Sequence, residues 1–130
     1  MALGELVIGL SHIGIRVHDY ERARAFYELL GFEHTWGPVG PDQVAAMRNA
    51  SGLEINFIVN AEDSELNVLM DVPEKHAGYT HIALKIMDVA ATLAALVAAG
   101  IEITGRRGSN PVNAIFVRDP DRNVIELAAD

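Results

Sequence analysis

The strongest constraint on this chain is that it contains itself twice. Residues 11–35, SHIGIRVHDYERARAFYELLGFEHT, lie over residues 80–104, THIALKIMDVAATLAALVAAGIEIT, at a constant offset of 69 with no gap. Identities fall at His12/His81, Ile13/Ile82, Asp19/Asp88, Ala25/Ala94, Gly31/Gly100, Glu33/Glu102 and Thr35/Thr104. Other strand positions exchange like for like: Ile15 with Leu84, Arg16 with Lys85, Val17 with Ile86. A repeat decides architecture before any single element does. Two copies mean a duplicated module rather than a solenoid, and 130 residues fit one domain, residues 1–130.

Each copy parses the same way. An apolar strand ends at an aspartate, which suits a helix N-cap because its carboxylate accepts from the orphan N–H groups of the first turn. A helix of about three turns follows. Tyr20, Ala23, Tyr27 and Leu30 share one face in the first copy; Val89, Leu93, Leu96 and Val97 share one in the second. Gly31 and Gly100 stand where a left-handed C-cap is expected. A strand then begins at Phe32 or Ile101, and Trp36 falls in a Gly- and Pro-rich loop after it. Two further strands close each copy, QVAAMRN and LEINFIV in the first, AIFVRD and VIELAA in the second. Met47-Arg48-Asn49 lies over Val117-Arg118-Asp119 at an offset of 70. Setting Glu54 over Glu126 raises the offset to 72 and implies a longer turn, DPDRN, in the second copy. The expected fold is α+β: two pseudo-symmetric β-α-β-β-β modules, about 7–60 and 79–130. A polar connection, about 61–78, joins them, and LNVLM within it could form a short strand or helix.

Strand side chains alternate between faces. Ile13, Ile15 and Val17 are expected to pack on the helix while His12, Gly14 and Arg16 face away. In the second copy Ile82, Leu84 and Ile86 pack, and His81, Ala83 and Lys85 face away. Leu53, Ile55, Phe57 and Val59 point inward and leave Glu54 and Asn56 outward; Ile125 and Leu127 leave Glu126 outward. Each module therefore offers a histidine and a glutamate on the side opposite its helix. A single histidine or glutamate on a strand is usually a solvated residue; the matched pairs carry the argument. Four ionisable groups in one cleft need compensation. A divalent metal supplies it, since neutral imidazole and carboxylate are good ligands for Zn, Ni, Co, Mn and Fe(II). The expected metal ligands are His12, Glu54, His81 and Glu126. Arg16 and Asn56 on the same face are candidates for binding substrate. Arg106-Arg107 in GRRGSN offers anion contacts, with a solvated loop as the simpler reading. His18, His34 and His76 have no counterpart in the repeat and are read as surface or loop residues.

The net charge of −8 argues against nucleic-acid backbones and anionic membranes as partners. There is no cysteine, which fits a reducing cytosol, and no apolar run reaches a membrane span. The N-terminal MALGELVIGL lacks a basic leader and a cleavage pattern, so the expectation is a cytoplasmic protein acting on a small molecule.

The segments SHIGIRVHDYERARAFYELLGF, THIALKI and FVRDPDRNVIEL resemble the vicinal oxygen chelate superfamily, which includes glyoxalase I, extradiol dioxygenases, methylmalonyl-CoA epimerase, and fosfomycin- and bleomycin-resistance proteins. The resemblance covers nearly the whole chain. It implies paired modules forming an incomplete barrel around a metal cleft, and a homodimer. His12, His81 and Glu126 match the ligand positions of metal-containing members. Glu54 matches the fourth ligand of glyoxalase I, and Arg16 matches an arginine used there for glutathione. Ile58 departs from that pattern, which has asparagine. The resemblance thus implies a metal-dependent lyase or isomerase of glyoxalase I type. Glu126 or Glu54 would move the proton through a metal-stabilised enediolate, with glutathione as a possible co-substrate. Two other readings of the same fold are an extradiol-type Fe(II) dioxygenase, using His12, His81 and Glu126 alone, and a metal-free ligand-binding or resistance protein.

Overall fold

The structure, a computed structural model, describes residues 1–130. Strand β1 (Ile13–Val17) leads into helix α2 (Tyr20–Leu29), preceded only by a four-residue helix, α1 (Leu3–Leu6). Strands β2 (Glu33–Val39), β3 (Val44–Arg48) and β4 (Glu54–Val59) complete the first module. The second repeats it with β5 (His81–Lys85), α3 (Val89–Ala98), β6 (Gly105–Arg107), β7 (Ala114–Arg118) and β8 (Val124–Ala128). The sheets have the matching orders β1-β4-β3-β2 and β5-β8-β7-β6. In each, the first and last strands of the module are parallel and the others antiparallel. The two sheets are not closed into a barrel, and no helix is long and apolar enough to cross a membrane.

The caps explain where the helices start. Asp19 accepts from the Arg22 N–H at 3.2 Å, and Asp88 from the Ala91 N–H at 2.7 Å. Gly31 and Gly100 end them with φ of +91° and +72°, a region open to glycine without steric cost. Helix α2 buries Tyr20, Ala23, Phe26 and Tyr27. Helix α3 buries only Leu96; Val97, expected on its packed face, is 71% exposed. One apolar core runs through both modules, from Tyr27, Phe32, Met47, Ile55 and Phe57 to Ile115, Val117, Ile125 and Leu127. Burying each such side chain is worth about 1.5–3 kcal/mol.

Three local expectations need correction. Trp36 is in β2, not in a loop: the strand continues through Gly37-Pro38 with register shifts on either side of Trp36. Gly37 permits this, because a Cβ there would stand 2.3 Å from the Val44 carbonyl oxygen. In the second module the strand after α3 begins at Gly105 rather than Ile101 and is three residues long. The LNVLM segment forms turns, held by Asn67, whose Oδ1 accepts from the Leu69 and Met70 N–H groups.

The turns before β4 and β8 have equal lengths. Asn49 Oδ1 accepts from the N–H groups of Ser51 and Leu53; Asp119 Oδ1 accepts from those of Asp121 and Asn123. Gly52 and Arg122 occupy the same left-handed position, with φ of +89° and +70°. The offset is therefore 70 through turn and strand alike, not 72. Arginine in that conformation costs about 1–2 kcal/mol, offset here by its contacts. The Arg122 guanidinium donates to Asp71, and its carbonyl accepts from Asn67 and Arg118.

Asp71 thereby staples the connection to the second module. The Arg118 guanidinium beside it, at 3.0 Å, holds its carboxyl well below the usual carboxylate range. A depressed carboxyl stabilises the fold above its unfolded value, near 4, and loses that contribution as pH falls below it. Asp71→Asn should cost about 2 kcal/mol at pH 7, and its unfolding curve should approach that of the unsubstituted chain as pH drops from 5 to 2.

Candidate metal and substrate site

The strand registers decide which side chains share a corner. In the second module Ala83 pairs with Glu126, so Glu126 lies diagonally across from His81. The two meet: His81 Nε2 is 3.1 Å from Glu126 Oε1. In the first module the matching pair is Gly14 with Asn56. Asn56, not Glu54, is therefore the counterpart of Glu126. Glu54 corresponds to Val124 and stands at the start of β4, where the same register sets it beside His12 and where Arg48 holds its Oε1 at 3.1 Å. The sequence-level pairing matched glutamate to glutamate; the backbone count matches asparagine to glutamate. Because residues 54 and 56 share a face, alternation alone could not separate them.

Each histidine is oriented by the hydroxyl residue before it. Ser11 Oγ is 2.9 Å from His12 Nδ1, and Thr80 Oγ1 is 2.8 Å from His81 Nδ1. In the tautomer in which Nδ1–H donates to that hydroxyl, Nε2 is the nitrogen left to bind a metal. Without a metal, the His81 Nε2–Glu126 contact instead has Nε2–H donating to the carboxylate. The repeated Ser-His and Thr-His dipeptides were the sequence signal for this pair of hydroxyls. Arg107, on β6, was the other residue to gain a role. Its guanidinium is 3.1 Å from Glu126 Oε2 and 3.3 Å from Asp130. Glu126 thus rests between a cation and an imidazole, and Phe116 stands edge-on to His81 with ring centroids 6.1 Å apart.

The first module's face holds Arg16, whose Nε donates to Asn60 at 2.9 Å and whose terminal nitrogens remain free. The Asn56 side-chain oxygen is buried and has no hydrogen-bond partner. Trp36 joins this face across from Ala46, which is itself opposite Asn56. His12 and His81 both line a cleft of about 980 Å³ between β1 and β5. Within one chain no three of the histidine and carboxylate groups converge on a common point. Of the other three histidines, His34 is not the surface or loop residue expected: it lies in β2 and bonds the Tyr20 hydroxyl. His18 Nδ1 meets the Ala61 carbonyl at 2.9 Å, and His76 is exposed in the connection.

The duplicated β-α-β-β-β module is matched by a family's sequence profile over residues 9–127. The chain belongs to the Glyoxalase/Bleomycin resistance protein/Dioxygenase superfamily. Solved members of the superfamily share its shape. The fosfomycin resistance protein FosX from Listeria monocytogenes is 25% identical, with 95% of this chain and 91% of that chain covered and a TM-score of 0.71. The same protein with Mn(II) and sulfate superposes at 25% identity, coverage of 95% and 90%, and a TM-score of 0.67. A glyoxalase family protein from Enterococcus faecalis is 24% identical, with coverage of 92% and 96% and a TM-score of 0.74. No curated protein matches the sequence.

The residues fit a divalent metal. By type, two imidazoles and a carboxylate are the donors of a two-histidine, one-carboxylate site; within one chain only His81 and Glu126 are brought into contact.

Proposed function

We propose that the chain is a metal-dependent lyase or isomerase. It would hold a divalent cation with His12, His81 and Glu126 and act on a small substrate bearing adjacent oxygens. The metal supplies positive charge that stabilises a developing oxyanion. The observation that carries this reading is Glu54. It is a second carboxylate on the metal-facing side of β4, beside His12 and outside the donor set. Arg48 holds one of its oxygens, which leaves the other to take a proton from a substrate carbon and return it to the neighbouring one. Arg16 offers free guanidinium N–H groups to a substrate or glutathione carboxylate. The unpartnered Asn56 oxygen can accept from a substrate hydroxyl, and Trp36 forms an apolar wall.

The site on this reading is shared between two copies in a homodimer. His81 and Glu126 meet within the chain, whereas His12 joins no cluster of three there. A second copy facing the open sheets would supply the missing imidazole.

A second reading has a specific support: with Asn56 in the fourth corner the donor set equals that of non-haem Fe(II) dioxygenases and leaves positions open for substrate and oxygen. A third follows from FosX, a fosfomycin resistance protein solved with Mn(II), whose similarity to this chain makes a Mn(II)-dependent reaction with fosfomycin worth assaying. The purified protein should be loaded in turn with Ni, Zn, Mn and Fe(II). It should then be offered a 2-oxoaldehyde with and without glutathione, fosfomycin, and a catechol under oxygen. Isomerisation that is lost in Glu54→Gln while metal content is kept supports the first reading. Oxygen uptake that survives Glu54→Gln replaces it with the second.

A further inference from the structure

The apolar side chains of the first ten residues stay largely exposed on the chain that carries them, with Leu10 at the edge of the cleft that holds His12. Met1, Leu3, Leu6, Val7, Ile8 and Leu10 are all exposed, Ile8 at 96%. The segment has one charged side chain, Glu5, whose carboxylate is spent on the Ala2 N–H at 2.8 Å. An arm of this composition is too apolar to be a solvated tail.

The whole chain shows the same deficit. It exposes 8397 Å², whereas a folded monomer of its mass is expected to expose about 6,700 Å². The excess of about 1,700 Å² is roughly twice what one partner buries in a standard interface, and falls within the range of obligate homodimers.

Connectivity says where the arm must lie. It ends at Leu10, two residues before His12. If His12 completes a site with the partner's His81 and the partner's Glu126, the residues leading into His12 are carried onto the partner's second module. Nine residues reach at most about 30 Å. The surface beside the partner's His81 is apolar in kind: Tyr79, two residues before that histidine, and Val68 on the connection are both exposed.

We infer that residues 1–10 form a docking arm that lies across the second module of another copy of this chain and covers the rim of the metal site there. The inference rests on the shared-site reading above. The arm serves as an intersubunit clasp, its apolar side chains set against the partner's Tyr79 and the partner's Val68.

Two measurements test it. Sedimentation equilibrium of the full chain should show a dimer. Leu6→Asp with Ile8→Asp, both at exposed positions and so without effect on the protomer's fold by far-ultraviolet circular dichroism, should weaken that dimer at least tenfold. Because the chain has no cysteine, Ile8→Cys in one chain and Tyr79→Cys in another should cross-link under mild oxidation only when the two are mixed. A full chain that is dimeric with unchanged affinity in the double variant, and no mixed cross-link, overturns the arm while the shared site stands. A full chain that is monomeric and still binds one metal ion per chain overturns both.

Discussion

Two inactive chains should restore activity to each other. His12→Ala removes an imidazole contributed by the first module, and Glu126→Gln removes a carboxylate contributed by the second. Each variant alone should lose at least a hundredfold in activity and most of its metal, because a two-histidine, one-carboxylate site does not tolerate loss of a ligand. In a symmetric dimer with shared sites, co-expressing the two gives heterodimers in which one site combines both defects and the other has neither. With statistical assembly about half of the dimers are mixed, and roughly a quarter of the unsubstituted activity and metal content returns. If the cleft between β1 and β5 closed within one chain instead, every chain would carry one defect and mixing would restore nothing. Metal analysis of the mixed preparation checks the result independently of any assumed substrate.

The largest stability effect is expected at the junction of the modules, in the turn that opens β8. Asp119 is 4% exposed. Its carboxylate accepts the Tyr27 hydroxyl at 2.8 Å, the N–H groups of Asp121 and Asn123, and the Asn123 side-chain amide. Asp119→Ala would leave these buried donors unpaired and should cost about 3 kcal/mol, read as a lower urea midpoint. Asp119→Asn is expected to cost less, about 1–2 kcal/mol: Oδ1 keeps the backbone capping that Asn49 performs in the first module, while the amide nitrogen in place of Oδ2 cannot accept from the Tyr27 hydroxyl and the Asn123 amide. Burial raises the Asp119 carboxyl above its ordinary value, and the hydrogen bonds from Asn123 and Tyr27 oppose this only in part. A raised carboxyl favours the fold most below its unfolded value, near 4, and that contribution is lost as pH rises through the folded value. Asp119→Asn should therefore flatten the stability profile between pH 4 and neutrality, the opposite side of pH 4 from the Asp71 effect.

The elements were legible wherever local chemistry decides them. Asp19 and Asp88 mark the helix starts because a carboxylate there meets free N–H groups, and Gly31 and Gly100 mark the ends because few other residues accept their φ. Face assignments were legible too, since pleating alternates side chains whatever the register. Register itself was not. Residues 54 and 56 are equally outward, and only the count of backbone positions from β3 through the turn separates them; chemical likeness pointed to the wrong one. The role of Arg107 was hidden for a related reason. GRRGSN reads as a loop because glycine and serine surround it, yet pairing of Arg106 with Ile115 and Arg107 with Ala114 turns Arg107 toward Glu126. Val97 went astray because helix periodicity says which positions are neighbours, not how much of the helix its sheet covers.

The equal turns before β4 and β8 have a consequence for how such a chain can change its chemistry. They hold position 56 and position 126 in the same backbone setting, one with an amide and one with a carboxylate. If the proposed metal is bound there, the number of protein ligands around it, and with it the number of sites left for substrate or oxygen, would hang on a single side chain whose scaffold is already built. Moving between reaction types would require no insertion, no new loop and no refolding. A duplicated frame stores a spare corner, and one codon decides whether it is filled.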